Sequence, residues 1–254
     1  MVKRLAPLFF LGIVIVLAPV AAARPAGTLT LSHAVLAGGI NQVDCPAGTD
    51  PSTACFHVTG TTLVPGLGVV SEDYLSFVED PDSSCERWHS NPVLTVRAKG
   101  TIDLAVRPPN GCVVPTTGVL NGSLVFTVTG GAGLYAGASG EGTLESRGGP
   151  GTTGRNTDTF EGILTVAGLV FDRTPPLFSG AVPKTVLAPK GAPAVRVTYK
   201  VTAHDPGHGS VGSKCKPGSG SRFKLGRTRV VCSAVDNSGN KATARFTITV
   251  KRRR

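Results

Sequence analysis

An apolar alternation with a period of two residues recurs along this chain, and a 3.6-residue helical period is absent beyond the amino-terminal segment. From 94 to 106, Leu94, Val96, Ala98, Ile102, Leu104 and Val106 are apolar, while Thr95, Arg97, Lys99, Thr101 and Asp103 intervene. That is the period of a half-buried strand, here long enough to bend at Gly100. Further strands are predicted at 28–35, 56–63, 69–78, 120–129, 134–144 and 160–170. Near the carboxy terminus Val195, Val197, Tyr199 and Val201 alternate with Arg196, Thr198 and Lys200, and Phe246, Ile248 and Val250 alternate with Arg245, Thr247, Thr249 and Lys251. With 33 Gly and 19 Pro in 254 residues and only 17% charged side chains, the composition suits short strands and tight turns rather than long helices. The fold expected is all-β: an antiparallel barrel or sandwich in the first half, then a small β-sandwich.

The first residues carry an address rather than a fold. Lys3 and Arg4 precede an apolar run from 8 to 17, and Ala21-Ala22-Ala23 closes the segment before Arg24. This is the pattern of a secretory signal peptide over residues 1–23, cut after Ala23. A retained anchor is the rival reading, since 5–23 nearly spans a bilayer, but Pro19 and the short apolar run favour cleavage. The mature chain is expected to be secreted, with cell-wall association as a further expectation and no transmembrane span. Six cysteines suit that compartment: Cys45, Cys55, Cys85, Cys112, Cys215 and Cys232. Six allow 15 connectivities; pairing near neighbours gives Cys45–Cys55, Cys85–Cys112 and Cys215–Cys232. The rival, a metal site, lacks both a C-x-x-C spacing and a completing His pair.

Charge divides the chain. Residues 24–172 hold 7 Lys or Arg against 14 Asp or Glu, while residues 173–254 hold 17 against two, Asp205 and Asp236. Nets of −7 and +15 imply two domains, 24–171 and 172–254, meeting near Asp172-Arg173-Thr174-Pro175-Pro176. The basic half is expected to attract an extracellular polyanion, an envelope glycan or an envelope protein, through Arg196, Lys200, Arg227, Arg229, Arg245, Lys251, Arg252, Arg253 and Arg254. Few aromatics accompany these cations, which argues against a specific nucleic-acid partner. The competing readings are that the charge serves solubility or docks the acidic first half.

No residue pattern compels catalysis, a metal or a cofactor. His204 and His208 have i,i+4 spacing, but Pro206 and Gly207 between them predict a loop. Asp205 and Asp236 lack the ligand series of a calcium loop, and Asx turns are the simpler role. No Gly-x-Ser-x-Gly elbow exists. Glu72, Asp73, Glu79, Asp80, Asp82 and Glu86, near Trp88 and His89, form an acidic cluster that could cleave a sugar bond only if two carboxylates faced across a cleft; otherwise they are exposed loop charge. Gly130-Gly131-Ala132-Gly133 precedes no helix, so it is not a phosphate cradle. Asn121-Gly122-Ser123 is a glycosylation sequon, of consequence only in a host that modifies it.

Two stretches carry resemblances. The run from Asp172-Arg173-Thr174-Pro175-Pro176 through Cys215-Lys216-Pro217-Gly218-Ser219-Gly220-Ser221, Leu225-Gly226-Arg227-Thr228, Cys232-Ser233-Ala234-Val235-Asp236 and Gly239-Asn240 to Phe246-Thr247-Ile248-Thr249-Val250 resembles the hyaline-repeat (HYR) module. That resemblance implies an immunoglobulin-like extracellular sandwich with an interaction or spacer role and no catalysis; the load of Lys and Arg departs from the family's pattern. The run Leu124-Val125-Phe126-Thr127-Val128-Thr129-Gly130-Gly131-Ala132-Gly133-Leu134-Tyr135 is similar to a hairpin of dirigent and allene oxide cyclase-like barrels. It implies a closed barrel, either filled or holding a small ligand. The expected function is therefore non-catalytic extracellular recognition or adhesion. The alternative is a small-molecule-binding or cyclase-like barrel tethered by the second module.

Overall fold

The structure, a computed structural model, describes residues 26–81, 83–113, 120–148, 154–207 and 209–253. The expected signal peptide, Asp82, His208 and Arg254 lie outside the described residues. All regular structure among the described residues is β.

The first half is a closed antiparallel barrel built from β1 (Ala26–Val43), β2 (Thr53–Val64), β3 (Gly68–Glu79), β4 (Arg87–Ser90), β5 (Val93–Val96), β6 (Gly100–Arg107), β7 (Leu120–Gly133), β8 (Ser139–Gly148) and β9 (Arg155–Ala167). β1 pairs with both β2 and β9, and β2 with β3; β4 and β5 share the place between β3 and β6, so nine strands make eight staves. Closure leaves no open sheet edge, which is how an antiparallel sheet with one apolar face protects its backbone groups. The inward side chains, among them Leu36, Val58, Val70, Val96, Ile102, Phe126, Leu144, Phe160 and Leu164, form one buried cluster. Cys45–Cys55 and Cys85–Cys112 bridge within this half.

Two sequence expectations change here. The run 94–106 is a hairpin rather than one bent strand. β5 turns through Arg97, Ala98 and Lys99 into β6, with φ of +58° at Ala98 and +139° at Gly100. A three-residue turn preserves the even–odd parity, so Leu94 and Ile102 face each other and the alternation runs unbroken through the reversal. The run 134–144 likewise opens with a turn. Gly133 and Gly137 take φ of +65° and +73°, Tyr135 enters the core at 1% exposure, and the strand starts only at Ser139.

The second half contains β10 (Leu177–Ser179), β11 (Lys184–Ala188), β12 (Ala194–Arg196), β13 (Thr202–Asp205), β14 (Gly209–Val211), β15 (Ser213–Lys216), β16 (Arg222–Lys224), β17 (Gly226–Val235) and β18 (Lys241–Arg252). A sheet ordered β11-β18-β17-β15 and two smaller ones, β10-β13-β14 and β12-β16, enclose a second core of Val197, Phe223, Val230, Cys232, Phe246, Ile248 and Val250. This is an immunoglobulin-like sandwich. Cys215 and Cys232 lie directly opposite in the β15–β17 ladder and form the third bridge. The alternation 195–201 yields a strand only over β12. Beyond it the facing segment holds Pro217 and a turn, and the Ser219 side chain replaces the ladder: Oγ accepts from Tyr199 N at 2.9 Å and donates to Tyr199 O at 2.7 Å.

Candidate functional site

Three sites carry charge in arrangements that the packing alone does not require. The first lies inside the barrel. The inward positions of β3 run Val70, Glu72, Tyr74, Ser76, Val78, so the strand's own parity turns a carboxyl toward the core. The register places Glu72 beside Gly60, Gly60 beside Gly38, and Gly38 beside Asn156. Gly60 leaves the space into which Glu72 folds, the carboxyl lying where a Gly60 side chain would stand, while a Cβ on Gly38 would meet the Thr59–Gly60 backbone. Across this gap β9 presents Asp158, which accepts from the Tyr74 hydroxyl at 3.2 Å and is hydrogen-bonded by Ser146 and Asn156. Glu72 is 3% exposed and Asp158 0%.

Written as two carboxylates, the pair leaves both Glu72 oxygens and Asp158 Oδ1 buried without a hydrogen-bond donor. Burial, reinforced by the neighbouring Asp158 charge, pushes Glu72 up to about 9. Burial also raises Asp158, against the hydrogen bonds that favour its charged form, and raises Tyr74 further, with both carboxylates adding to the effect. At neutral pH Glu72 is therefore a neutral acid. Its proton turns two mutually repelling acceptors into a donor and an acceptor in one O–H···O contact. Such a pair can hold a proton or donate one in a dry interior.

Sequence reading placed Glu72 in an exposed acidic cluster, and the structure disperses that cluster. Glu72 points inward. Asp73 points outward and pairs with His57 at 2.6 Å. Glu79 and Asp80 both bind Arg87, at 2.9 and 2.7 Å. Glu86 is buried and accepts the Trp88 indole N–H at 3.0 Å. Asp158, Tyr74, Asn156 and Ser146 were missed altogether. The signal was present: Asn156, Asp158, Phe160 and Leu164 share one parity, so the apolar alternation of β9 extends backward into polar residues.

The second site is the seam between the halves. Asp172, Asp205 and Asp236 each place a carboxylate oxygen within 4.8 Å of the others, a donor set that could hold a metal ion. Each also closes an Asx turn: Asp172 Oδ1 accepts from Thr174 N (2.9 Å), Asp205 Oδ1 from Gly207 N (2.9 Å), and Asp236 Oδ1 from Ser238 N (2.8 Å) and Asn240 N (2.9 Å). Asn240 Nδ2 links Asp236 Oδ2 to the Asp172 carbonyl, at 2.9 and 3.0 Å. The same turn rests on the barrel, where Gly66 N donates to Ser238 O at 2.7 Å. A Cβ on Gly239 would meet Val64 O at 2.6 Å, and one on Gly68 would meet Asn237 O at 2.5 Å. Lys99 reaches in from the barrel and donates to Leu67 O at 2.7 Å; burial lowers its pKa, opposed by Asp236 and Asp172.

The third site is the basic surface. Arg227 and Arg229 on β17 and Arg245 and Lys251 on β18 share the exposed face of the four-stranded sheet. Arg196, whose Nη1 donates to Gly220 O at 3.0 Å, and Lys200 belong to the other side of the sandwich. The structure thus divides the predicted set rather than gathering it. Arg252 and Arg253 end β18 beside the loop after β11, where they line a pocket with Lys190, a residue absent from the predicted set. Asp205 and Asp236, the sole acids of residues 173–254, are buried at 0% and 5%.

No curated protein and no solved structure matches this chain. A family model for the HYR domain matches residues 171–250, from the aspartate seam to within two residues of the end of β18. The carboxy-terminal half is therefore similar to the HYR domain, an extracellular adhesion-associated module of a kind in which disulfides are common.

Proposed function

We propose that this is an exported, non-catalytic recognition protein, held on anionic extracellular polymers by its HYR-like half, with the barrel docked on the opposite, aspartate-bearing end. One observation carries the reading. The two acids of the basic half are both buried at the seam, so its exposed surface displays cations without a single exposed Asp or Glu. Such a surface binds polyanions by releasing their counterions, and the binding weakens as salt rises. The absence of exposed stacking aromatics beside the cations favours polymers of phosphate or carboxylate over nucleic acid bases. The test is retention of the full chain on an immobilised poly(glycerol phosphate) under a salt gradient. The wild type is retained at low salt, and a variant with Arg227→Ala, Arg229→Ala, Arg245→Ala and Lys251→Ala elutes at markedly lower salt. Failure of the wild type to bind, or co-elution of the variant, overturns the reading.

A second reading keeps the barrel as a small-molecule binder or cyclase-like domain with the HYR-like half as tether. The Glu72–Asp158 pair supports it, because two buried acids in contact, both raised by burial and Glu72 held neutral, are an arrangement often met where proton donation matters. Soaking crystals with small polar ligands distinguishes the two: density beside Glu72 and Asp158 favours this reading, and an unchanged interior removes it.

A further inference from the structure

We infer that the end of the sandwich farthest from the aspartate seam along β18 holds a discrete phosphate-binding pocket, formed by Lys190, Arg252 and Arg253. The inference rests on the polyanion reading and gives it a point of attachment. β11 and β18 run parallel, with Ala188 beside Arg252. This register carries Lys190, two residues past the end of β11, to the place where Arg252 and Arg253 leave β18. Between them opens a pocket of about 340 Å³. Its floor is Leu225 and Ala192, fixed by backbone bonds from Leu225 N to Pro193 O (3.3 Å) and from Ala192 N to Pro189 O (3.0 Å). Pro189 and Pro193 bracket the loop and restrict its backbone.

Among the described residues, three cations line this one concavity and no carboxylate does. Elsewhere on the protein exposed cations do find acids, as Arg87 does with Glu79 and Asp80. Here no acid among the described lining residues faces the cations, and an anion supplied from outside would offset their mutual repulsion. Two guanidinium groups and an ammonium suit a phosphate, which accepts bidentate bonds from Arg while Lys adds a point charge. The pocket is roomier than a bare phosphate needs, and its apolar floor offers contact to the group that bears the phosphate. The exposed sheet face spreads Arg227, Arg229, Arg245 and Lys251 along β17 and β18, so it acts as a field rather than a site.

The experiment follows amide shifts of the full-length exported chain during titration with inorganic phosphate, and separately with sodium sulfate and sodium acetate. Saturable shifts confined to Gly191, Ala192 and Leu225, stronger with phosphate than with acetate, are expected. The Lys190→Ala, Arg252→Ala, Arg253→Ala variant should weaken phosphate binding about tenfold or more, while the Lys214→Ala, Lys241→Ala variant, at lysines outside the pocket and outside the polyanion set, leaves it unchanged. All five positions are exposed, so thermal midpoints should match the wild type. Shifts spread over the sheet face, or equal loss in the two variants, would overturn the pocket while leaving polymer retention standing. Loss of polymer retention by the wild type, with saturable phosphate shifts intact, would instead overturn the polyanion reading alone.

Discussion

Asp236 in the sandwich and Glu72 in the barrel are equally hidden, at 5% and 3% exposure, but their surroundings differ in kind. Asp236 sits in a tight turn whose own backbone supplies two N–H donors, and Asn240 adds a third. Glu72 sits on a regular strand, where the N–H groups are committed to neighbouring strands and none points along the side chain. The nearest polar partner it meets is another acid, Asp158. A turn can therefore bury a carboxyl group with its hydrogen bonds made, because five consecutive residues deliver the donors. A strand interior can bury it only by keeping the proton. The comparison also explains why the seam is built from turns: Asx geometry presents rigid carbonyls outward, and the barrel docks on one of them at Ser238.

The largest effect expected from this contrast concerns pH. Glu72 has a folded pKa raised above its unfolded value, so its contribution to stability is complete below about 4.5 and is lost as pH rises toward about 9. Within that window the wild type should lose up to about 1.4 kcal/mol per pH unit relative to Glu72→Gln, which does not titrate. Urea unfolding of both proteins at pH 5 and pH 8 measures this, and parallel pH profiles would break the comparison at its barrel end. Asp236→Ala strips the turn of its acceptor and should cost about 1–3 kcal/mol in urea unfolding. A loss well below that would mean that the donors of the turn do not set the cost of burying Asp236.

Gly239→Ala tests the docking itself. With φ at +84° and Val64 O at 2.6 Å from an added Cβ, it should cost about 1–2 kcal/mol and loosen the seam, read as faster proteolysis between the halves. The smallest effect belongs to His57→Ala, which removes an exposed hydrogen bond to Asp73 and should change stability by less than about 1 kcal/mol. A larger loss there would mean that an acid's cost is set by something other than burial and local donors.

Much of this contrast was legible before folding, though unevenly. The alternation located most strands, and the HYR-like motif located the turn 236–240 with its aspartate. The hairpin at 97–99 was hidden because a three-residue turn keeps parity, so inward positions continue on the even numbers through the reversal. Glu72 was misread for a related reason: among Asp73, Glu79 and Asp80, a charge pattern suggests solvent, and only its parity with Val70 and Val78 betrays an inward side chain. Asp158 was invisible because its significance depends on Glu72, 86 positions away in the sequence. The pocket cation Lys190 was missed because it meets Arg252 only through the parallel β11–β18 pairing.

By itself the sequence determined what is local. The period of two requires strands, the Gly and Pro content requires turns, and the Asx residues carry their own donors within five positions. It also determined the partition of charge, since net charge is a sum that no packing alters. The tertiary structure alone decided which charges face one another. Barrel closure brings β3 across from β9, and the parallel pairing sets Lys190 beside Arg252 and Arg253. Such encounters depend on strand order and register, which are chosen by the free energy of the whole core and not by any stretch of the chain read alone.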